Sequence, residues 1–239
     1  MNLLLFSDAD RIGVDRIQLS DHRLQHLQEV LDTAEGDSLR VGEVNGLMGE
    51  AEIIKLSKEE ALLDVRLTEA PPPKLPLTLV LALPRPKMLR RILRMIAELG
   101  VESLHLVNSY RVEKSYWQTP VLDAAVIEDY FLEGLSQSRD TVLPTVALHT
   151  RFKPFVEDTL PGLMSGRRSL LAHPGNYPAT PTGVQEPTLL VIGPEGGFIP
   201  YEVEKLEAAG CDTVSMGPRI LRVENAVAAL VSQLFAYQA

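Results

Sequence analysis

"LLVIGPEGGFIPYEVEKLEAAG", residues 189–210, runs an apolar strand through a glycine-rich turn into a helix. A plain connection from strand to helix needs no succession of proline, carboxylate and two adjacent glycines, Gly196 and Gly197. Glycine lets a ligand come up against the main chain and leaves N–H and C=O groups free to hydrogen-bond it. The stretch therefore predicts an α/β layer with something lying against the end of one strand.

Working outward, the same alternation of strand and helix fills the chain from residue 77 to 239, the mark of an α/β layer. "LTLVLAL" (77–83) is a continuous apolar run of buried-strand type, and "KMLRRILRMIAELG" (87–100) is an amphipathic helix. Its stripe is Leu89, Ile92, Leu93, Ile96 and Leu99, with Gly100 as the stop. "SLHLV" is the next strand, and Thr119-Pro120 reads as N-cap and first helical residue of "VLDAAVIEDYFLEGL". "TVALH", "SLLAH" and "TLLVIG" are further strands. The last units are the helix "PYEVEKLEAAG", the strand "DTVSMG" and the helix "ENAVAALVSQLFAY".

The N-terminal part reads differently. "SDHRLQHLQEVLD" has Leu24, Leu27 and Leu31 at helical spacing, with Ser20 as N-cap. "DSLRVGEV" and "LMGEAEIIKL" flank Asn45-Gly46, a strong hairpin signal, and "ALLDVRLTEA" is a third strand. Short strands with one small helix suggest a compact β-barrel over residues 1–70. "APPPKLP" is semi-rigid and continues neither helix nor central strand, so residues 71–76 read as a linker.

Composition narrows the function. The 239 residues carry one cysteine, Cys211, which excludes an intrachain disulfide framework and a cysteine zinc cluster. The five histidines have no metal-ligand spacing, so no metal is expected. "MNLLLFSDAD" is too short an apolar run for a signal peptide and no stretch is long enough for a membrane span, so a cytoplasmic protein is expected. The net charge of −9 argues against broad nucleic-acid binding but leaves room for a local basic face. Arg85, Lys87, Arg90, Arg91, Arg94, Arg111 and Lys114 make such a run, opposed only by Glu98, Glu102 and Glu113; a solvated helix face would look the same.

Ligands of open α/β sheets bind just beyond the carboxyl ends of the strands. Three strands end in unusual turns: "LLAHPG" (170–175), "VIGPEGGF" (191–198) and "VSMGPRIL" (214–221). None matches a dinucleotide or P-loop fingerprint, and "GPEGGF" lacks a basic residue for phosphates, so a ligand with polar edges fits better than a polyphosphate.

These residues carry a resemblance. "LLVIGPEGGF", "VSMGPRILRVENA", "MIAELGV", "SYRVEKS", "LSQSRDTVLPTV" and "LLAHP" together resemble the 16S rRNA uridine-N3 methyltransferase family (RsmE-type) of the SPOUT superfamily. The resemblance implies a knotted (trefoil) C-terminal α/β methyltransferase domain behind a small PUA-like β-barrel that is a candidate RNA-binding domain. It further implies a homodimer, S-adenosylmethionine as cofactor, and methylation of N3 of a uridine in the 16S rRNA of the small ribosomal subunit. The cofactor would lie against Leu171, Ala172, His173 and Pro174, then Ile192, Gly193, Pro194, Glu195, Gly196 and Gly197, then Met216, Gly217, Pro218, Ile220 and Leu221. Arg222 is the first candidate to hold the uridine anion and Arg219 the second, and Glu224 accepts a proton, orients Arg222 or merely caps a helix. His173 is a pocket wall rather than a general base. Arg85, Arg91, Arg94, Arg111, Arg139 and Arg219 are candidates for contacts to RNA.

The pattern is departed from at several positions. Asp32 and Leu135 stand where the family has arginine and glutamate, Val223 and Asn225 replace threonines, and Met88 and Met95 replace lysines. The same chemistry on another RNA, or an RNA-binding protein without catalysis, are the alternatives left open.

Overall fold

The computed structural model describes residues 2–29 and 33–235. Leu31 of the expected first helix, Asp32 and the end of the expected last helix lie outside the described residues.

The chain forms two units, the first comprising Met1–Pro73 and Leu132–Leu143. Its strands are β1 (Leu4–Phe6), β2 (Arg16–Leu19), β3 (Ser38–Glu43), β4 (Met48–Leu56) and β5 (Ala61–Glu69), with helix α1 (His22–Glu29) after β2. They form a five-stranded sheet in the order β1-β3-β4-β5-β2. Only the β1–β3 pair is parallel. The hairpin expected at Asn45-Gly46 joins β3 to β4, with Asn45 in the left-handed region at φ 60°. Leu4, Phe6, Ile17, Leu19, Val41, Ile53 and Leu63 make the core, and Leu24 and Leu27 of α1 close it. Gly49 sits at a register shift against β5, where a Cβ would overlap the Arg66 carbonyl.

Residues 132–143 join this unit through hydrogen bonds that no motif announces. Asn2 and Leu3 N–H donate to the Ser136 carbonyl at 3.2 and 3.1 Å, and Thr141 Oγ1 donates to the Gly46 carbonyl at 2.6 Å.

The second unit comprises Lys74–Phe131 and Pro144–Ala239. It starts with β6 (Leu75–Ala82), α2 (Pro86–Glu98) and β7 (Val101–Val107). Pro76 cannot donate to a ladder, and the β6–β7 register shifts between Leu75 and Thr78. Gly100 stops α2 at φ 71°, as its position suggested. The Thr119 cap is placed differently from the expectation. It closes a separate 3-10 turn, Pro120–Leu122, while Asp123 is extended and α3 (Ala124–Ser138) begins only after it.

Strand β8 (Thr145–His149) leads to a helical segment that sequence reading misses. There α4 (Phe152–Pro154) passes through a π-turn at Phe155–Thr159 into α5 (Leu160–Met164). Pro154 and Pro161 hide it. A proline ring clashes with the carbonyl four residues back, and the widened π-turn lies just ahead of Pro161. The chain ends with β9 (Arg168–Ala172), β10 (Thr188–Ile192), α6 (Pro200–Ala208), β11 (Asp212–Val214) and α7 (Val223–Leu234).

The six strands form one all-parallel sheet in the order β11-β9-β10-β6-β7-β8. Parallel sheets are covered on both faces, and every residue of β6 from Leu77 to Ala82 is buried accordingly. Helix α7 packs on α2; Val227, Leu230 and Val231 of α7 are buried, as are Leu89, Ile92, Leu93 and Ile96 of α2. The long loop 173–187 is tied at two places. Ser215 N–H donates to the Pro178 carbonyl at 2.9 Å and Thr180 N–H to the Ser215 carbonyl at 3.0 Å; further on, Val184 N–H donates to the Leu234 carbonyl at 2.7 Å.

Candidate functional site

The sheet order fixes where a site can form. From β6 the chain proceeds to β7 and β8 on one side, and from β10 to β11 on the other. The two progressions diverge at the β6–β10 pair, so a crevice opens at their carboxyl ends. A cavity of about 870 Å³ lies there, lined by the turns after β6, β9, β10 and β11 and by the start of α7. The three turns singled out in the sequence thus line one hollow.

Of the residues expected against a cofactor, Ala172, His173, Pro174, Ile192, Gly193, Pro194, Glu195, Gly196, Gly197, Met216, Gly217, Ile220 and Leu221 line this cavity. Two do not. Leu171 is wholly buried within β9, and Pro218 lines a smaller hollow beside Asn176, Tyr177 and Gln233. Both proposed catalytic residues, Arg222 and Glu224, line the cavity.

The glycines of the β10 turn have reasons of their own. Pro194 to Gly197 form a tight turn closed by a 2.8 Å bond from Gly197 N–H to the Pro194 carbonyl, and Gly197 sits at φ 72°. A Cβ on Gly193 would meet the Phe198 ring at 3.0 Å. On Gly196 a Cβ would stand 2.9 Å from Cδ of Arg111, whose guanidinium donates to the Gly196 carbonyl. The bare backbone at Gly196 is therefore covered by an arginine from the turn after β7. Glu195, expected against the cofactor, also accepts the Arg85 N–H at 3.0 Å and so joins the turns after β10 and β6.

Five cations stand around the cavity, Arg85, Lys87, Arg111, Arg219 and Arg222, against Glu195 and Glu224. Arg222 occupies the N-cap position of α7 in an extended conformation and is exposed. Glu224, in the first turn of α7, is 8% exposed. Among the described residues its carboxylate has no ion-pair or hydrogen-bond partner, so the expected pairing with Arg222 is absent there. The first-turn position lets the helix dipole favour its charge. His173 meets the Tyr177 ring edge-on at 6.0 Å. Burial lowers its pKa, Glu207 opposes this, and Arg111 adds to the lowering, which favours the neutral imidazole.

The arginines expected to contact RNA divide into two groups. Arg85, Arg111 and Arg219 line the cavity, whereas Arg91 and Arg94 stand along α2 outside its lining. Arg94 lies over the Tyr130 ring at 4.4 Å. Arg139, in the first unit, follows α3 with a left-handed φ of 60°. Outside the three turns, sequence reading missed Lys87, Met88, Val223, Ala226 and Leu230 as lining residues. It also missed Glu202, a buried carboxylate that accepts Tyr110 N–H at 2.7 Å and Ile199 N–H at 3.1 Å. The acid three residues after Ile199, at the head of a helix opened by Pro200, is the capping signal that could have found it.

Comparison with known proteins supplies the rest. The model of the RNA methyltransferase domain family matches residues 71–235. The Ribosomal RNA small subunit methyltransferase E of Treponema pallidum is 30% identical over 243 residues, covering 99% of this chain and 91% of its own. The protein of the same name from Synechocystis is 29% identical over 230 residues, covering 91% and 72%. Among solved structures, the Ribosomal RNA small subunit methyltransferase E of Neisseria gonorrhoeae bound to S-adenosyl methionine has the same fold. It superposes with a TM-score of 0.76 at 20% identity, covering 96% of this chain and 95% of that one. Among the described residues no helix is long and apolar enough to cross a membrane, and no three side chains could hold a metal.

Proposed function

The chain belongs to the RNA methyltransferase domain family, and on that premise we propose that it transfers the methyl group of S-adenosylmethionine to N3 of a uridine in small-subunit rRNA. The observation that carries the reading is the cavity formed where three main-chain turns meet, rimmed by cations on a chain of net charge −9.

The residues present fit the cofactor. The turns at Ala172–Pro174, Gly193–Gly197 and Met216–Leu221 offer backbone groups and small side chains to a nucleoside. When bound, S-adenosylmethionine supplies an electrophilic methyl group. The acceptor must be activated by the protein, because uridine N3 carries a proton and its anion spreads charge onto the flanking carbonyl oxygens. Arg222 stabilises that charge electrostatically. Glu224, partnerless among the described residues and on the same wall, takes the proton. Arg85, Arg111 and Arg219 hold phosphates at the mouth, with Arg91, Arg94 and Arg139 as further phosphate contacts, which position RNA without reading its sequence.

The chain is further proposed to be knotted, homodimeric and cytoplasmic. The ties from loop 173–187 to both Ser215 and the end of α7 support a trefoil threading of the C-terminal segment. Ile220, 80% exposed in the single chain, supports a contact with a second copy. The five-stranded sheet of the first unit is read as a PUA-like RNA-binding barrel.

Titration calorimetry with S-adenosylmethionine tests the cofactor, and absence of heat overturns it. Mass spectrometry of rRNA from a deletion strain tests the target: loss of 3-methyluridine is expected, and an unchanged level rejects the assignment.

A further inference from the structure

The turn after β7 is held firmly and yet presents an aromatic ring to water. Asn108 N–H donates to the His149 carbonyl at 2.8 Å, and its Oδ1 accepts the Trp117 indole N–H at 2.9 Å. Ser109 and Val112 are buried, and Val112 N–H donates to the Ser109 carbonyl at 3.1 Å. Between these anchors Tyr110 donates its N–H to the buried Glu202 carboxylate at 2.7 Å. Tyr110 nonetheless remains 78% exposed, more than any other Phe, Tyr or Trp among the described residues.

A ring left in solvent adds nothing to the core. A ring on a fixed backbone is preorganised, so a partner that covers it loses little ordering entropy. The next residue, Arg111, lines the cavity and bonds the Gly196 carbonyl. Beside Glu202 stands Tyr201, 47% exposed, with Lys205 Nζ 5.9 Å from its ring centroid. Flat apolar faces and cations thus occur side by side, Tyr110 beside Arg111 of the cavity lining and Tyr201 beside Lys205. A single strand of nucleic acid presents the complement, phosphates for the cations and bases for the rings.

We infer that Tyr110 is the stacking platform for a base that flanks the nucleotide entering the cavity. The inference rests on the reading of that cavity as an RNA methyltransferase site. A flanking base seated on a rigid ring fixes the register of the strand, so that its neighbour alone turns inward.

The test uses the full chain carrying Tyr110→Ala, Tyr110→Leu or Tyr110→Phe, each checked for an unchanged melting temperature. The readouts are the Kd of a single-stranded uridine-containing RNA oligonucleotide, the KM for 16S rRNA and the Kd of S-adenosylmethionine. The alanine and leucine variants should raise the RNA Kd and KM by about 5-fold to 150-fold. The phenylalanine variant should match the wild type, and cofactor affinity should stay unchanged in all three. Alanine behaving as wild type overturns the inference, as does leucine matching phenylalanine. A lower sedimentation mass with RNA affinity intact would assign the ring to a contact between copies of this chain, which also overturns it. A wild-type chain that neither binds S-adenosylmethionine nor methylates RNA is a different failure: it sinks the reading of the cavity itself and needs no variant to be seen.

Discussion

Glu202 has 2% of its surface exposed, and both its oxygens accept backbone N–H groups, from Tyr110 and Ile199. Removing an acceptor from a buried donor forfeits the bond and leaves the donor unsatisfied, at about 1–3 kcal/mol per group. Glu202→Ala is therefore expected to lower unfolding stability by about 3 kcal/mol, read from the urea midpoint. Glu202→Gln retains one carbonyl acceptor and should fall between that variant and the wild type. At Arg222 the expected effect is on chemistry instead of folding. The residue is exposed at the N-cap of α7, so Arg222→Ala should leave the melting temperature nearly unchanged. Under the proposed role it should reduce kcat by about 10²- to 10³-fold, with S-adenosylmethionine affinity intact by calorimetry. A collapse of that affinity would move Arg222 from the acceptor to the cofactor.

At the scale of elements, β7 and β8 bring two histidines together. His105 Nδ1 and His149 Nε2 lie 3.0 Å apart, with His149 also against Phe155. One ring must donate and the other accept, so the pair requires an unprotonated nitrogen. Burial, then the His149 and Arg167 charges, push the His105 pKa down to about 4, and burial lowers that of His149. Arg167 in turn lies 3.9 Å from Glu102. A folded pKa below the unfolded value means that the unfolded chain binds more protons between the two. Stability is then complete above about pH 6.5 and is lost as pH falls towards about 4. Urea midpoints measured from pH 7.5 to 4.5 should decline over that window, and His105→Phe should flatten the decline. The same elements show what the sequence made legible. The apolar run of β6, the Leu89–Ile96 stripe and Gly100 were readable because burial on a fixed period and a left-handed stop are local properties. The helical segment at 152–164 was not, because its prolines signal interruption while a π-turn accommodates them. The three turns of the site were legible as oddities. What lies on Gly196 was not, since Arg111 reaches it from 85 residues away in the chain.

For the whole molecule the deciding quantity is how charge is distributed. A chain of net charge −9 repels a polyanion at long range, whereas the rim of Arg85, Lys87, Arg111, Arg219 and Arg222 offers local attraction. Salt separates these contributions because the Debye length shrinks to about 8 Å near physiological ionic strength. Repulsion spread over the surface is screened first, whereas contacts at the rim release counterions in proportion to the phosphates they neutralise. For single strands the logarithm of affinity falls by about 0.7 per phosphate for each unit of log salt. Three to five contacts at the rim should give a slope of roughly −2 to −3.5 for a 16S rRNA segment, measured by fluorescence anisotropy across potassium chloride concentrations. Arg85→Ala and Arg219→Ala should each make the slope shallower by about 0.7. A flat salt dependence in the wild type would mean that the rim does not hold RNA, and the acidic surface would then leave the cavity without the substrate proposed for it.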